Sequence, residues 1–241
     1  MGRRSFAVSL ALALLLANGM AQTAPANSKE IHQLYLDDQA DRGVSLEGTK
    51  KKKATPDDVA ANDSARRKRT HRLLEQGALQ TGADFHDAAF IVQHGDQPED
   101  YLLAHVLAMA AVAKGEPRGR WIAAATLDRY LHSIGQPQVF GTQYLTRGYL
   151  EFLQDTRAKQ AATKENPDAQ AGKPQAVAGA AADQDAKKWD EYLQEPYESS
   201  LISDALRAQY CVPGRSDQKE RLAELNGGKP SPRKPIPGCS K

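Results

Sequence analysis

Cysteine is nearly absent. Two cysteines in 241 residues cannot brace a disulfide-dense scaffold, and no paired Cys-x-x-Cys is available for a zinc site. Aromatic residues are sparse at 6%, with only two tryptophans. No apolar run approaches the roughly 20 residues that a bilayer-spanning helix needs, which excludes a polytopic membrane protein. Eighteen glycines and thirteen prolines are too few for a collagen-like chain. An excess of one charge is missing too: 32 Lys and Arg face 30 Asp and Glu, and Arg3 and Arg4 lie in a leader described below. No nucleic-acid partner is expected from so balanced a chain. The sequence also lacks a Gly-x-Ser-x-Gly elbow, a phosphate-binding Gly-x-x-x-x-Gly-Lys loop, a dinucleotide Gly-x-Gly-x-x-Gly and a His-Glu-x-x-His pair. What is present, 40% hydrophobic and 26% charged residues, describes a soluble chain of one domain with extra segments.

Met1 to Ala21 reads as a secretory signal peptide. Arg3 and Arg4 form its positive end, Phe6 to Leu16 its apolar run, and Gly19-Met20-Ala21 the small residues around a cut, so the mature chain would start at Gln22. At about 11 residues the apolar run is too short for an anchor. The expected location is secreted or periplasmic, with no transmembrane segment in the mature chain. In such an oxidising compartment Cys211 and Cys239 are a disulfide candidate closing about 29 residues, worth about 3 to 4 kcal/mol. Two unpaired thiols are the alternative.

Periodicity and punctuation predict a mainly α fold, a small antiparallel helical bundle with a short β-hairpin after residue 135 and a disordered insertion. Asn27 and Glu30 form a capping-box pattern for a first helix that ends by Gly43. Thr55, Pro56, Asp57 and Asp58 open a second helix that Gly77 closes. Asp84 caps a third, which ends at Gly95. Glu99 to Lys114 is apolar on nearly every side, which predicts a central, buried helix. Pro117 to Ile134 forms the next, stopped by Gly135. Short loops between these elements imply antiparallel neighbours. Residues 27–155 thus make the main part of the domain. Residues 156–186 contain almost no large apolar side chain and read as a disordered low-complexity insertion; 187–226 return to the same domain, and 227–241 form a Pro-rich flexible tail.

Three short runs stand out in order: Gln93-His94, Asp128-Arg129 and Gly141-Thr142-Gln143, preceded by Asp38-Gln39 with Arg42. In these the chain resembles the bacterial family called domain of unknown function 6624, over residues 30 to 225 with gaps. The resemblance implies no particular activity. A fainter similarity to Sel1-like or tetratricopeptide helical pairs covers one and a half units, short of the three repeats that such arrays need.

Asp128 and His132 are four residues apart on one helical stripe, so a carboxylate could orient an imidazole there. His94 is the candidate third member of an acid/base or metal-assisted site. The alternative is a surface ion pair with a C-terminal histidine favoured by the helix dipole. Gln93, Arg129, Gln138, Thr142 and Gln143 fall at helix ends or in the loop after Gly135, where their donors would suit a carboxylate, phosphate or glycan hydroxyl, or else cap the helices. No cofactor and no metal site are expected. His105 reads as a core histidine. Residues 50–72 carry about +6 through Lys50 to Lys53, Arg66 to Arg69 and Arg72, a patch that could meet an anionic envelope surface or simply be solvated. The expectation is an exported, non-catalytic binding or interaction module at the cell envelope. The alternative is a small hydrolase or metal-assisted enzyme using His94, Asp128 and His132.

Overall fold

The structure is a computed structural model that describes residues 27–47, 54–165, 190–232 and 234–239. The leader at 1–21, the basic run at 50–53 and residues 166–186 of the expected insertion lie outside these. Five helices come first: α1 (Lys29–Asp41), α2 (Pro56–Glu75), α3 (Gly82–Val92), α4 (Pro98–Ala113) and α5 (Gly119–Ser133). Thr55 caps α2 in a capping box with Asp58. Two other starts differ from expectation. Ser28, not Asn27, is the N-cap of α1, and its N–H is donated to Asp84 Oδ1 at 2.7 Å, which ties the start of α1 to α3. Thr81 is the N-cap of α3, and Asp84 sits three residues inside it, closing the box. A capping box has two polar members, and the sequence showed the acidic one more plainly than its threonine.

Helices α3, α4 and α5 pack side by side, with α1 and α2 laid on α3. The core is built largely of alanine: Ala88, Ala89, Ala104, Ala108 and Ala123 are fully buried among Ile31, Ile91, Val92 and Ile122. Small side chains bring the helix axes close. At the α4–α5 crossing a Cβ on Gly119 would stand 2.9 Å from the carbonyl oxygen of Ala108, so only glycine fits without a shift. The expectation of an all-round buried α4 is corrected here. Ala104, Leu107, Ala108 and Ala111 are buried, but Leu102, Val106 and Met109 are 40%, 55% and 41% exposed. Helix α4 packs against α3 on one flank and α5 on the other, and the face carrying Leu102, Val106 and Met109 is left open.

The second half closes against the end of α5. Strand β1 (Leu145–Thr146) leads into α6 (Arg147–Glu165) and pairs antiparallel with β2 (Tyr192–Leu193), in the register Leu145 to Leu193 and Thr146 to Tyr192. The short β-hairpin expected after residue 135 appears as this two-stranded antiparallel sheet, whose second strand arrives from beyond the insertion rather than through a tight turn. Residues 156–165 belong to α6, which corrects the first third of that insertion. Apolar content decided the disorder reading, but Arg-Ala-Lys-Gln-Ala-Ala is a run of strong helix formers uninterrupted before Pro167. Then follow α7 (Asp204–Gln209) and α8 (Arg215–Leu225). A smaller core of Ala124, Phe140, Ile202 and Val212 joins this half to α5.

Cys211 and Cys239 form a disulfide, with Cα atoms 5.6 Å apart and 28 residues of separation. The tail is pinned rather than free: Ser231 Oγ donates to Glu220 at 2.6 Å, Lys234 pairs with Asp217 at 2.8 Å, and Arg120 donates to the Gly238 carbonyl at 2.6 Å. Proline richness removes secondary structure, but it leaves side chains and carbonyls available for such ties. Among the described residues no helix is long and apolar enough to cross a membrane.

Candidate functional site

The residues singled out near the end of α5 are drawn together by one irregular loop, residues 134–144. Asp128 is completely buried. Its Oδ1 accepts from the N–H groups of Val139 at 2.8 Å and Phe140 at 2.9 Å, and its Oδ2 from the N–H of Thr142 at 2.9 Å and the Thr142 hydroxyl at 2.8 Å. The loop's carbonyls face the opposite charge. Arg207 on α7, also fully buried, donates to the carbonyls of Val139 at 3.2 Å, Phe140 at 3.3 Å and Ser199 at 3.1 Å, and to that of Ile202. A segment without regular structure must satisfy its buried N–H and C=O groups somehow. Here an anion collects the donors and a cation the acceptors.

Gln138 completes the frame. Its side-chain oxygen accepts from Gln143 N at 2.9 Å, and its amide donates to the carbonyls of Gln143, at 3.0 Å, and Gln194. Gln218 on α8 donates to Phe140 O at 2.8 Å and accepts from the Tyr197 hydroxyl at 2.9 Å.

A second cluster lies where α1, α2 and α3 meet. The carboxylate of Asp38, 0% exposed, accepts from Arg42 at 2.8 Å and Gln39 at 2.9 Å. Arg42 also reaches Asp63 at 2.7 Å, and Arg66 pairs with Asp63 at 2.7 Å and Asp41 at 2.8 Å. Burial raises the pKa of Asp63, but its hydrogen bonds from Arg42 and Arg66 outweigh that and hold it below the ordinary carboxylate value. His94 Nε2 stands 3.5 Å from Asp38 Oδ2 without making a hydrogen bond, and the His94 carbonyl accepts from Arg67 at 2.6 Å. Within the expected basic patch Arg66 is buried, Arg67 donates to the His94 carbonyl and Arg69 pairs with Glu30 at the surface; Lys68 is exposed, and Lys50 to Lys53 lie outside the described residues.

Two cavities of about 220 Å³ open nearby. The first lies between Trp121, the loop and α8, under the C-terminal tail; Asp217 pairs there with Lys234 and Arg221 with Glu224 at 3.1 Å, and Glu220 accepts from the Ser231 hydroxyl. The second is bounded by Tyr101, Arg129, His132, Ser133, Gln143, Leu145, Tyr149 and Leu153. It contains an uncompensated cation. Among the described residues no carboxylate pairs with Arg129, whose Nη1 donates to the Gln93 carbonyl at 3.1 Å and whose guanidinium lies 5.9 Å from the Tyr101 ring centroid. Burial pushes its pKa below the ordinary guanidinium value; Tyr101 and Tyr149 oppose that shift, while the charge of Arg42 adds to it.

The structure thus divides the expected residues. Arg129, His132 and Gln143 line one cavity, and Gln93 holds Arg129 through its carbonyl. Gln138 and Thr142 hold the loop. Of the proposed catalytic trio, Asp128 faces the loop, His94 faces Asp38, and His132 Nε2 lies 3.3 Å from the Pro196 carbonyl. Among the described residues no three His, Cys, Asp or Glu gather as a set of metal ligands. His105 is half-buried with Nδ1 2.9 Å from the Ala123 carbonyl. Sequence reasoning missed Arg207, Gln218, Gln194 and Tyr101, whose partners lie far along the chain and leave no local pattern. No protein-family profile, curated protein or solved structure matches the chain.

Proposed function

We propose that this chain is an exported, non-catalytic binding module of the cell envelope, with the cavity around Arg129 as its ligand site. The observation that carries the reading is a half-buried guanidinium, without a carboxylate partner among the described residues, at the wall of a cavity of about 220 Å³. Burying a charge without a partner is costly, and a ligand that supplies the counter-charge recovers that cost. The non-catalytic character is supported by Asp128, whose two oxygens already accept four hydrogen bonds from the loop. A base in that state has little capacity to take a substrate proton.

Export is supported by the leader pattern at 1–21 and by the Cys211–Cys239 bridge.

Native mass spectrometry of the full chain expressed in an exporting host tests this function. The expected result is loss of the leader mass and a retained small molecule that Arg129→Met releases. Turnover of generic ester or phosphate-ester substrates that disappears in His94→Ala would replace the binding reading with the hydrolase one.

A further inference from the structure

The cavity's chemistry defines its occupant, an inference that rests on the binding reading above. We propose that the Arg129 cavity takes a small monocarboxylate carrying an aromatic or branched apolar group. Arginine has five N–H donors in a rigid fork. The only hydrogen bond that the guanidinium makes among the described residues runs from Nη1 to the Gln93 carbonyl, so the edge formed by Nε and Nη2 keeps both of its donors. Two parallel donors on one edge match the two oxygens of a carboxylate.

The charge balance selects a monoanion. Among the described lining residues Arg129 is the one Lys or Arg, so it alone neutralises a carboxylate monoanion, whereas a phosphate dianion would need the imidazole of His132 protonated as well. Arg42, near enough to depress the Arg129 pKa, is already engaged by Asp38 and Asp63. The rest of the lining selects the body of the ligand. Tyr101, Leu145, Tyr149 and Leu153 supply ring and aliphatic surface, and Tyr149, 45% exposed, stands at the mouth. Ser133 and Gln143 also line the cavity, but the Ser133 hydroxyl donates to the Tyr130 carbonyl and the Gln143 amide to the Ala125 carbonyl and the Thr142 hydroxyl, so Arg129 holds the open donor edge. The volume, about 220 Å³, falls below the roughly 300 to 1,000 Å³ of pockets for drug-sized ligands. A ligand no larger than a substituted benzoate or a branched fatty acid stub is the matching size.

The experiment is titration calorimetry of the full purified chain with benzoate, benzyl alcohol and inorganic phosphate. Benzoate should bind about 10- to 100-fold tighter than benzyl alcohol, the range expected for hydrogen bonds to a charged group. Phosphate should bind more weakly than benzoate. Arg129→Met should abolish the preference for benzoate, and Arg129→Lys, which keeps the charge and loses the fork, should reduce it. The lysine variant keeps the test valid if the methionine one does not fold. Tyr149→Ala should weaken benzoate and benzyl alcohol alike. Equal binding of benzoate and benzyl alcohol would overturn the carboxylate inference while leaving the cavity reading in place. Tighter binding of phosphate would overturn it in favour of an oxyanion site. Failure of all three probes to bind would overturn both.

Discussion

Replacing Asp128 with asparagine should destabilise the protein by about 3 to 5 kcal/mol while keeping its shape. The wild-type carboxylate accepts three backbone N–H groups and one hydroxyl, all between 2.8 and 2.9 Å. An asparagine can keep its oxygen toward Val139 and Phe140, but those two bonds lose their charge assistance, a reduction of roughly half in strength. That costs about 1 kcal/mol for each bond. The amide NH2 then faces the Thr142 N–H donor to donor, and a part-buried N–H left without an acceptor costs about 1 to 3 kcal/mol. The Thr142 hydroxyl can turn and accept instead, so it contributes little. Against a total stability of about 5 to 15 kcal/mol for a domain of this kind, the loss is large and measurable.

Urea unfolding followed by far-ultraviolet circular dichroism reads the effect as a lower midpoint at unchanged slope. Thr142→Val, which removes both the hydroxyl's bond to Asp128 and the one it accepts from Gln143 Nε2, should cost about 2 to 4 kcal/mol in the same assay. A midpoint for Asp128→Asn within about 0.5 kcal/mol of wild type, the usual range for a surface substitution, would refute the loop-holding role and return Asp128 to the list of catalytic candidates.

Other consequences follow from the same geometry. Gly141 has φ of +80°, and a Cβ there would lie 2.6 Å from the Tyr197 ring carbon Cζ and closer still to Gln218 Oε1. Gly141→Ala should therefore cost about 2 to 4 kcal/mol by thermal or urea unfolding, and a neutral result would contradict the close packing of the loop. Reduction of the disulfide, or Cys211→Ser with Cys239→Ser, should lower stability by about 3.6 kcal/mol on the chain-entropy account of a loop of this length. Equal unfolding midpoints with and without reductant would show that the tail contributes nothing. Burial raises the pKa of Asp84, but its bonds from Thr81, Gln80 and Ser28 prevail and hold it below the ordinary value of 3.8. A depressed folded-state pKa gives stability that is fully present above the unfolded value and lost as pH falls through the folded one. Acidification from about pH 5 to pH 2 should thus erode stability, and Asp84→Asn should flatten that slope. An unchanged slope in that variant would contradict the anchoring of α1 on Asp84.

Much of the helical layer is legible in the sequence because its signals are local. Thr55-Pro56 marks the start of α2 within a few residues, and the glycines at 77, 115 and 135 mark ends. Where competing local signals existed, the stronger pattern misled: Asp84 looked like a cap because its carboxylate is one, but for the box three residues before it. Residues 156–165 looked unstructured because their lack of apolar side chains outweighed their helix propensity. The site was legible in its members and not in its division of labour. Asp128 and Arg129 are adjacent in sequence, but successive residues on a helix point about 100° apart, so one turns to the loop and the other to the cavity. Arg207, 68 residues from the Val139 carbonyl that it binds, carries no sequence signal for that contact.

The central claim is that Arg129 keeps a donor edge open to a ligand. Its side-chain Nε–H resonance, assigned by its disappearance in Arg129→Lys, can be followed by nuclear magnetic resonance as benzoate is added. The account predicts a shift of that resonance that saturates together with shifts at Tyr101 and Gln143. An Nε–H signal that stays fixed while benzoate saturates other residues would contradict it.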